Sequence, residues 1–234
     1  MNPAETLEVA CTAAWDPLIS ESLGEWRLRW AAGFTGRANS ALAVGDPGVP
    51  ISLALRQVCD FAHSRDIEPR VHAIKDSTTE EALAAHGWIP DIEYANGHEV
   101  TVLTGPPGAG DAALVLDEPA PAWWELTTGS AEPSPAQRHV LATGKTGFGM
   151  FGDFAAVRGA VTDDIVLVGR LAVRPSHRRQ GHAVTLMNAI GAWGTRHGAA
   201  RCVLQVSVTN SAALALYAGL GFTEHHRYRY WIPA

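Results

Sequence analysis

The 234-residue chain is poor in cysteine. Its three, Cys11, Cys59 and Cys202, lie far apart with no paired spacing. That excludes a disulfide framework, and each reads as a small buried apolar residue. No run of about 18 apolar residues occurs, so no membrane-spanning helix is expected. The opening MNPAETLEVA lacks the basic and apolar regions of a secretory signal. Together these absences predict a reducing, cytoplasmic setting. Positive charge is also scarce: 18 Lys and Arg stand against 24 Asp and Glu, a net charge of −6. That argues against nucleic acid as a partner and slightly favours a cationic small molecule.

Hydrophobic residues make up 47% of the chain, enough for one large core or two small ones. The stretch Thr104–Trp124 (TGPPGAGDAALVLDEPAPAWW) is rich in Pro, Gly and Ala and reads as a linker with one short strand, Ala113 to Leu116. It divides the chain into residues 1–105 and 106–234. Two stretches imitate phosphate loops and fail. GPPGAGD carries Asp111 where a lysine is required, and GKT at Gly144–Thr146 has His139 where a glycine is required. His225 and His226 are adjacent on a strand, where neighbours face opposite ways, so no metal site is expected.

The second half has a clear order. Asp164–Val173 (DIVLVGRLAV) is a nearly continuous apolar run, the pattern of a strand buried on both faces. The chain's densest basic cluster follows it, in RPSHRRQGHAVTL. Ala183, Met187, Ile190 and Trp193 then share one helical face, with Gly198 as the stop. RCVLQVSVTN is a strand. NSAALALYAGLGF is a short helix capped by Asn210 and ended by Gly219 and Gly221. TEHHRYRYWIP is a final, edge-like strand, which could pair across a homodimer. The whole predicts an α/β protein with a mixed sheet. The first half holds a faint copy. Arg70–Ile74 matches Arg201–Gln205 at an offset of 131 residues, and His86-Gly87-Trp88 matches Leu220-Gly221-Phe222 at 134.

A helix N-terminus leaves backbone N–H groups unpaired at the positive end of the helix dipole, and a loop of amides there can cradle phosphate oxygens. Arg178, Arg179, Gln180, Gly181, His182 and Ala183 stand at such a junction. Gly181 keeps a Cβ out of the way, and the two arginines add charge-assisted hydrogen bonds. A plain solvated turn fits these residues equally well.

The run from Arg178 to Ala183 resembles the R/Q-x-x-G-x-G/A signature of the GNAT superfamily of acyl-CoA-dependent N-acyltransferases. Asn210, Ala213, Leu216, Tyr217, Gly221 and Phe222 are similar to that family's N-x-x-A-x-x-L-Y-x-x-x-G-F block. The resemblance covers Phe148 to Trp231. It implies a tandem architecture of two GNAT-like halves, with the acetyl-CoA site in the second. The resemblance further implies that the Arg179–Ala183 amides hold the pyrophosphate. Main-chain groups of Leu171 and Val173 would pair with the pantetheine arm, Asn210 would bond the cofactor, and Tyr217 would protonate the departing thiolate. The acceptor would be a small amine or a peptide amine, with no metal. The amides near Leu171–Val173 could also stabilise an oxyanion.

An amine with a pKa near ~10.4 is neutral in only about one molecule in 10³ at pH 7, so a base is wanted. Glu125, Asp153 and His139 are candidates, and a water relay serves equally. In the first half, GDPGVP replaces the signature, Pro50 deletes an amide, and Leu83 stands where Tyr217 stands later. That half is expected to be degenerate and unable to bind CoA. Arg37, Asn39 and Ser40 could line an acceptor pocket. The competing reading is a non-catalytic acyl-CoA sensor or interaction module on the same fold.

Overall fold

A computed structural model describes residues 1–234. The chain forms two compact units. The first is Met1–Val102 with Val206–Asn210 and Glu224–Ala234; the second is Leu103–Gln205 with Ser211–Thr223.

The first unit opens with helix α1, Pro3–Ala13. Asn2 and Glu5 form a capping box at its start, and Pro3 takes the first helical position. Strands β1 (Ile19–Leu23) and β2 (Trp26–Trp30) form a hairpin that turns at Gly24, φ 56°. Strand β3 (Ala41–Leu42) joins β2 antiparallel. Helix α2 (Ile51–His63) buries Ala54, Leu55, Val58, Phe61 and Ala62, the spacing of one helical face. Strand β4 (Val71–Ile74) runs parallel to β3, with Ala41 opposite Val71. Helix α3 (Thr78–Ala85), strand β5 (Trp88–Pro90) and, as far as Val102, strand β6 (Glu99–Gly105) follow. Trp26, Leu83 and Trp88 lie in the core of this unit.

In the second unit, strand β7 (Leu114–Leu116) leads to helices α4 (Pro121–Thr128) and α5 (Pro135–Ala142). Strands β8 (Lys145–Phe151), β9 (Ala155–Thr162) and β10 (Ile165–Val173) then form an antiparallel meander. Helix α6 (His182–Arg196) carries the chain to strand β11 (Arg201–Ser207), which belongs to this unit as far as Gln205 and runs parallel to β10, and helix α7 (Ser211–Gly219) follows. Small residues let α6 approach the sheet. A Cβ added to Gly147 would lie 2.6 Å from the Trp193 ring, and one added to Gly159 would lie 2.6 Å from Ile190. Each large apolar side chain buried this way contributes about 1.5–3 kcal/mol. Trp123 of α4 donates its Nε1–H to the Val157 carbonyl at 3.0 Å. Arg158 is fully buried, and its Nε donates to the Leu141 carbonyl near the end of α5 at 2.8 Å.

The last strand, β12 (Thr223–Pro233), corrects the sequence reading. It is not an edge. From Glu224 onward it belongs to the first unit, where β4 and β6 flank it and its end pairs with β5. The reason for pairing it across a dimer therefore falls away. Its polar residues are satisfied by distant carboxylates: Arg229 Nε donates to Glu99 at 2.8 Å, and Trp231 Nε1 to Glu80 at 2.9 Å. The histidine pair also differs from expectation. The His225 and His226 Nδ1 atoms lie 2.8 Å apart, and His226 Nε2 bonds Glu8 at 2.9 Å.

Candidate active site

The second unit places its signature residues at the end of an interrupted strand. Ile165–Val168 of β10 pair with Arg201–Leu204 of β11 and are fully buried. Pairing with β11 stops there. Between Gly169 and Ala172 the register with β9 shifts, and Arg170 sits at φ 55°, a bulge in an otherwise regular strand. Ala172 and Val173 resume pairing with Ala156 and Ala155. Leu171 to Val173 thus lie in a segment held on the β9 side and half-buried, with no ladder to β11.

Next comes a 3₁₀ turn at Pro175–His177, then the basic loop. Arg179 is left-handed at φ 62° and Gly181 at φ 83°. Gly181 is the N-cap of α6, and no side chain caps the helix. The first bond closing the helix runs from the Thr185 N–H to the Gly181 carbonyl at 3.0 Å. A Cβ on Gly181 would meet nothing within 4 Å, so the backbone angle, not crowding, calls for glycine. The first-turn amides of His182 and Ala183 therefore project from the positive end of a 15-residue helix. Arg178, Arg179 and Gln180 are exposed around them. Arg178 folds back, and its Nε donates to the Val173 carbonyl at 3.1 Å. The arrangement suits a phosphate-bearing ligand whose chain continues along β10.

A packed group of rings flanks this loop. Phe154 and His177 stack with centroids 4.1 Å apart and planes at 9°. His182 lies 5.0 Å from Phe154 and 4.9 Å from Phe151. Sequence reading missed this group, because the pair Phe154 and His177 comes from separate segments with no shared motif.

Tyr217 lies on α7, 6% exposed, with Phe222 edge-on at 5.9 Å. Burial pushes its phenol up to about 12, and the neighbouring Cys202 adds to the shift. It therefore holds its proton throughout the neutral range. Asn210 closes the Val206–Asn210 segment of the first unit, directly ahead of α7, and its N–H donates to the Ser207 carbonyl at 3.0 Å.

The candidate bases differ in setting. Glu125 on α4 is half-exposed and pairs with Arg174 Nη2 at 3.4 Å. Asp153 is exposed, and its carbonyl accepts from Arg174 Nε at 3.1 Å. His139 lies on α5.

In the first unit the corresponding strand-to-helix loop is closed by its own groups. Glu25 accepts the Asp46 N–H at 2.6 Å, and Asp46 accepts the Gly48 N–H at 2.8 Å. Pro50 is the N-cap of α2 and has no amide to offer. Asn39 and Ser40 line a small cavity together with Leu28, Arg29, Phe61 and Arg70. Both are buried. Asn39 accepts from Ala31 and Gly33 and donates to Phe34 and Thr35, which knits the 31–39 loop together. Ser40 bonds Arg29 and Gly36.

The family described as "Probable histone acetyltransferase Rv0428c C-terminal" matches residues 4–231. The chain belongs to that family. The chain is 29% identical over 240 residues to the probable histone acetyltransferase Rv0428c of Mycobacterium tuberculosis, covering 97% of this chain and 73% of that protein. It is 26% identical over 250 residues to the uncharacterized N-acetyltransferase YobR of Bacillus subtilis, covering 97% and 98%. A GCN5-related N-acetyltransferase from Kribbella flavida shares its fold, with a TM-score of 0.68 at 14% identity, over 99% of this chain and 95% of that one. The family assignment makes the chain an N-acetyltransferase. No helix is long and apolar enough to cross a membrane.

Proposed function

We propose that the second unit transfers the acetyl group of acetyl-CoA to a primary amine, small or on a peptide. One observation carries the reading. β10 leaves β11 after Val168 and leads into a loop with left-handed Arg179 and Gly181, where a helix begins without a side-chain cap. An elongated ligand with a diphosphate near one end fits both features. The amides of Arg179 to Ala183 would hold the diphosphate, with Arg178, Arg179 and Gln180 around it. Main-chain groups of Leu171 and Val173 would pair with the pantetheine arm as a strand does. Arg178 must then release the Val173 carbonyl it now bonds.

Bound there, the donor supplies a thioester for direct attack by the amine. Tyr217 acts as the acid that serves the departing sulfur. With its phenol near 12 and a thiol near ~8.5, full proton transfer runs uphill even to the free thiolate. The O–H therefore donates to sulfur as charge develops. The proton lost by the nitrogen as the amide forms balances the one the thiolate gains. Glu125, Asp153 or a water takes the nitrogen proton in this scheme. The test is CoA release from acetyl-CoA over a panel of small amines and lysine-bearing peptides. Release that depends on one class of amine supports the reading. Saturable acetyl-CoA binding with no release across the panel opposes it.

A further inference from the structure

We infer that Phe154 and His177 are positioning residues for the donor: their ring stack clamps the turn between β8 and β9 against the basic loop and holds that loop in its anion-accepting shape. The inference rests on the reading that acetyl-CoA binds this loop. Arg179, at φ 62°, is in a backbone region that side-chain-bearing residues seldom occupy, and such conformations persist only when their surroundings impose them. The surroundings here are specific. His177 precedes the segment Arg178–Gly181 and His182 follows it, and both rings bear on Phe154, at 4.1 and 5.0 Å. Both ends of a four-residue segment are thus pinned to one side chain.

Phe154 is itself fixed. A Cβ added to Gly152, at φ 58°, would lie 2.5 Å from the Phe154 ring, so the turn is tight beneath it. The Arg174 N–H donates to the Phe154 carbonyl at 2.8 Å, and Arg174 Nε donates to the Asp153 carbonyl at 3.1 Å. These bonds tie the entrance of the loop to the same turn. Neither Phe154 nor His177 needs to touch the ligand in this arrangement. They act through the backbone of residues 178–181.

The test compares acetyl-CoA with acetyl-pantetheine, which carries the thioester and arm but no diphosphate. His177→Ala removes the stack. It should raise KM for acetyl-CoA about two- to tenfold, the range of a lost aromatic pair, with kcat unchanged and both constants for acetyl-pantetheine unchanged. His177→Phe keeps a ring and loses the ring nitrogens, and should restore the wild-type KM. An unchanged KM in His177→Ala would overturn the clamp. So would equal weakening of both donors. Failure of His177→Phe to rescue would assign the effect to the imidazole nitrogens instead. Absence of any saturable acetyl-CoA dependence in the wild type would overturn the donor reading itself, and the clamp with it.

Discussion

The Glu25 carboxylate accepts the Asp46 N–H at 2.6 Å, in the loop that leads from β3 toward α2. In the second unit the equivalent loop, between β10 and α6, has no such internal anion. The first loop is thus filled by the chain's own carboxylate, and Pro50 deletes a further donor. One acetyl-CoA per chain is expected. Isothermal calorimetry measures this directly, and two equivalent sites per chain would contradict the comparison of the two loops.

Tyr217→Phe removes one oxygen from a buried side chain on α7 and leaves its ring in place against Phe222. Loss of an acid of this kind typically costs about 10²- to 10⁴-fold in rate. The expected result is that drop in kcat with acetyl-CoA affinity kept. A variant with kcat near that of the wild type would remove Tyr217 from the chemistry.

Acid stability is set in the first unit. Burial would raise the Glu8 carboxyl, but His72 at 3.1 Å and His226 at 2.9 Å outweigh it and hold it well below the usual carboxylate range. Burial lowers the His72 imidazole, against the pull of Glu8 and with the push of Arg29 and Arg37. A lowered carboxylate contributes stability above its unfolded value near 4.5, and that stability is lost as pH falls. A lowered imidazole leaves the unfolded chain binding more protons below its ordinary value near 6.5, so stability again falls with pH. Urea unfolding should therefore give a decreasing free energy from pH 7.5 to pH 4. Glu8→Ala should cost about 1–3 kcal/mol at pH 7.5, the range for leaving buried hydrogen-bonding partners unsatisfied. A free energy that rises toward acid would contradict both signs.

The local patterns of the second half were legible in the sequence, and the long-range ones were not. The apolar run of β10, the basic loop and the helix after it are written in consecutive residues, and the structure places them in that order. The bulge at Arg170 falls at the one break in the apolar run, Gly169-Arg170, where a glycine inside a strand pattern is itself a bulge signal. β12 reads as an edge because Arg227 and Arg229 look solvated; Glu99 and Glu80, more than a hundred residues away, satisfy them. Asn39 does line a small cavity, but the sequence does not show that its amide is consumed by the turn.

The central claim is that the Arg179–Ala183 amides seat the donor, and Gly181 tests it. A side chain at φ 83° is strained, and Gly181→Glu also sets a negative charge among those amides. The measurement is the thermal shift given by acetyl-CoA to wild type and to this variant. With a Kd of ~10 μM, ~1 mM ligand adds about 2.7 kcal/mol, which at this size raises Tm by roughly 5–11 °C. The account predicts that shift in the wild type and none in a folded Gly181→Glu. An equal shift in both would place the donor elsewhere.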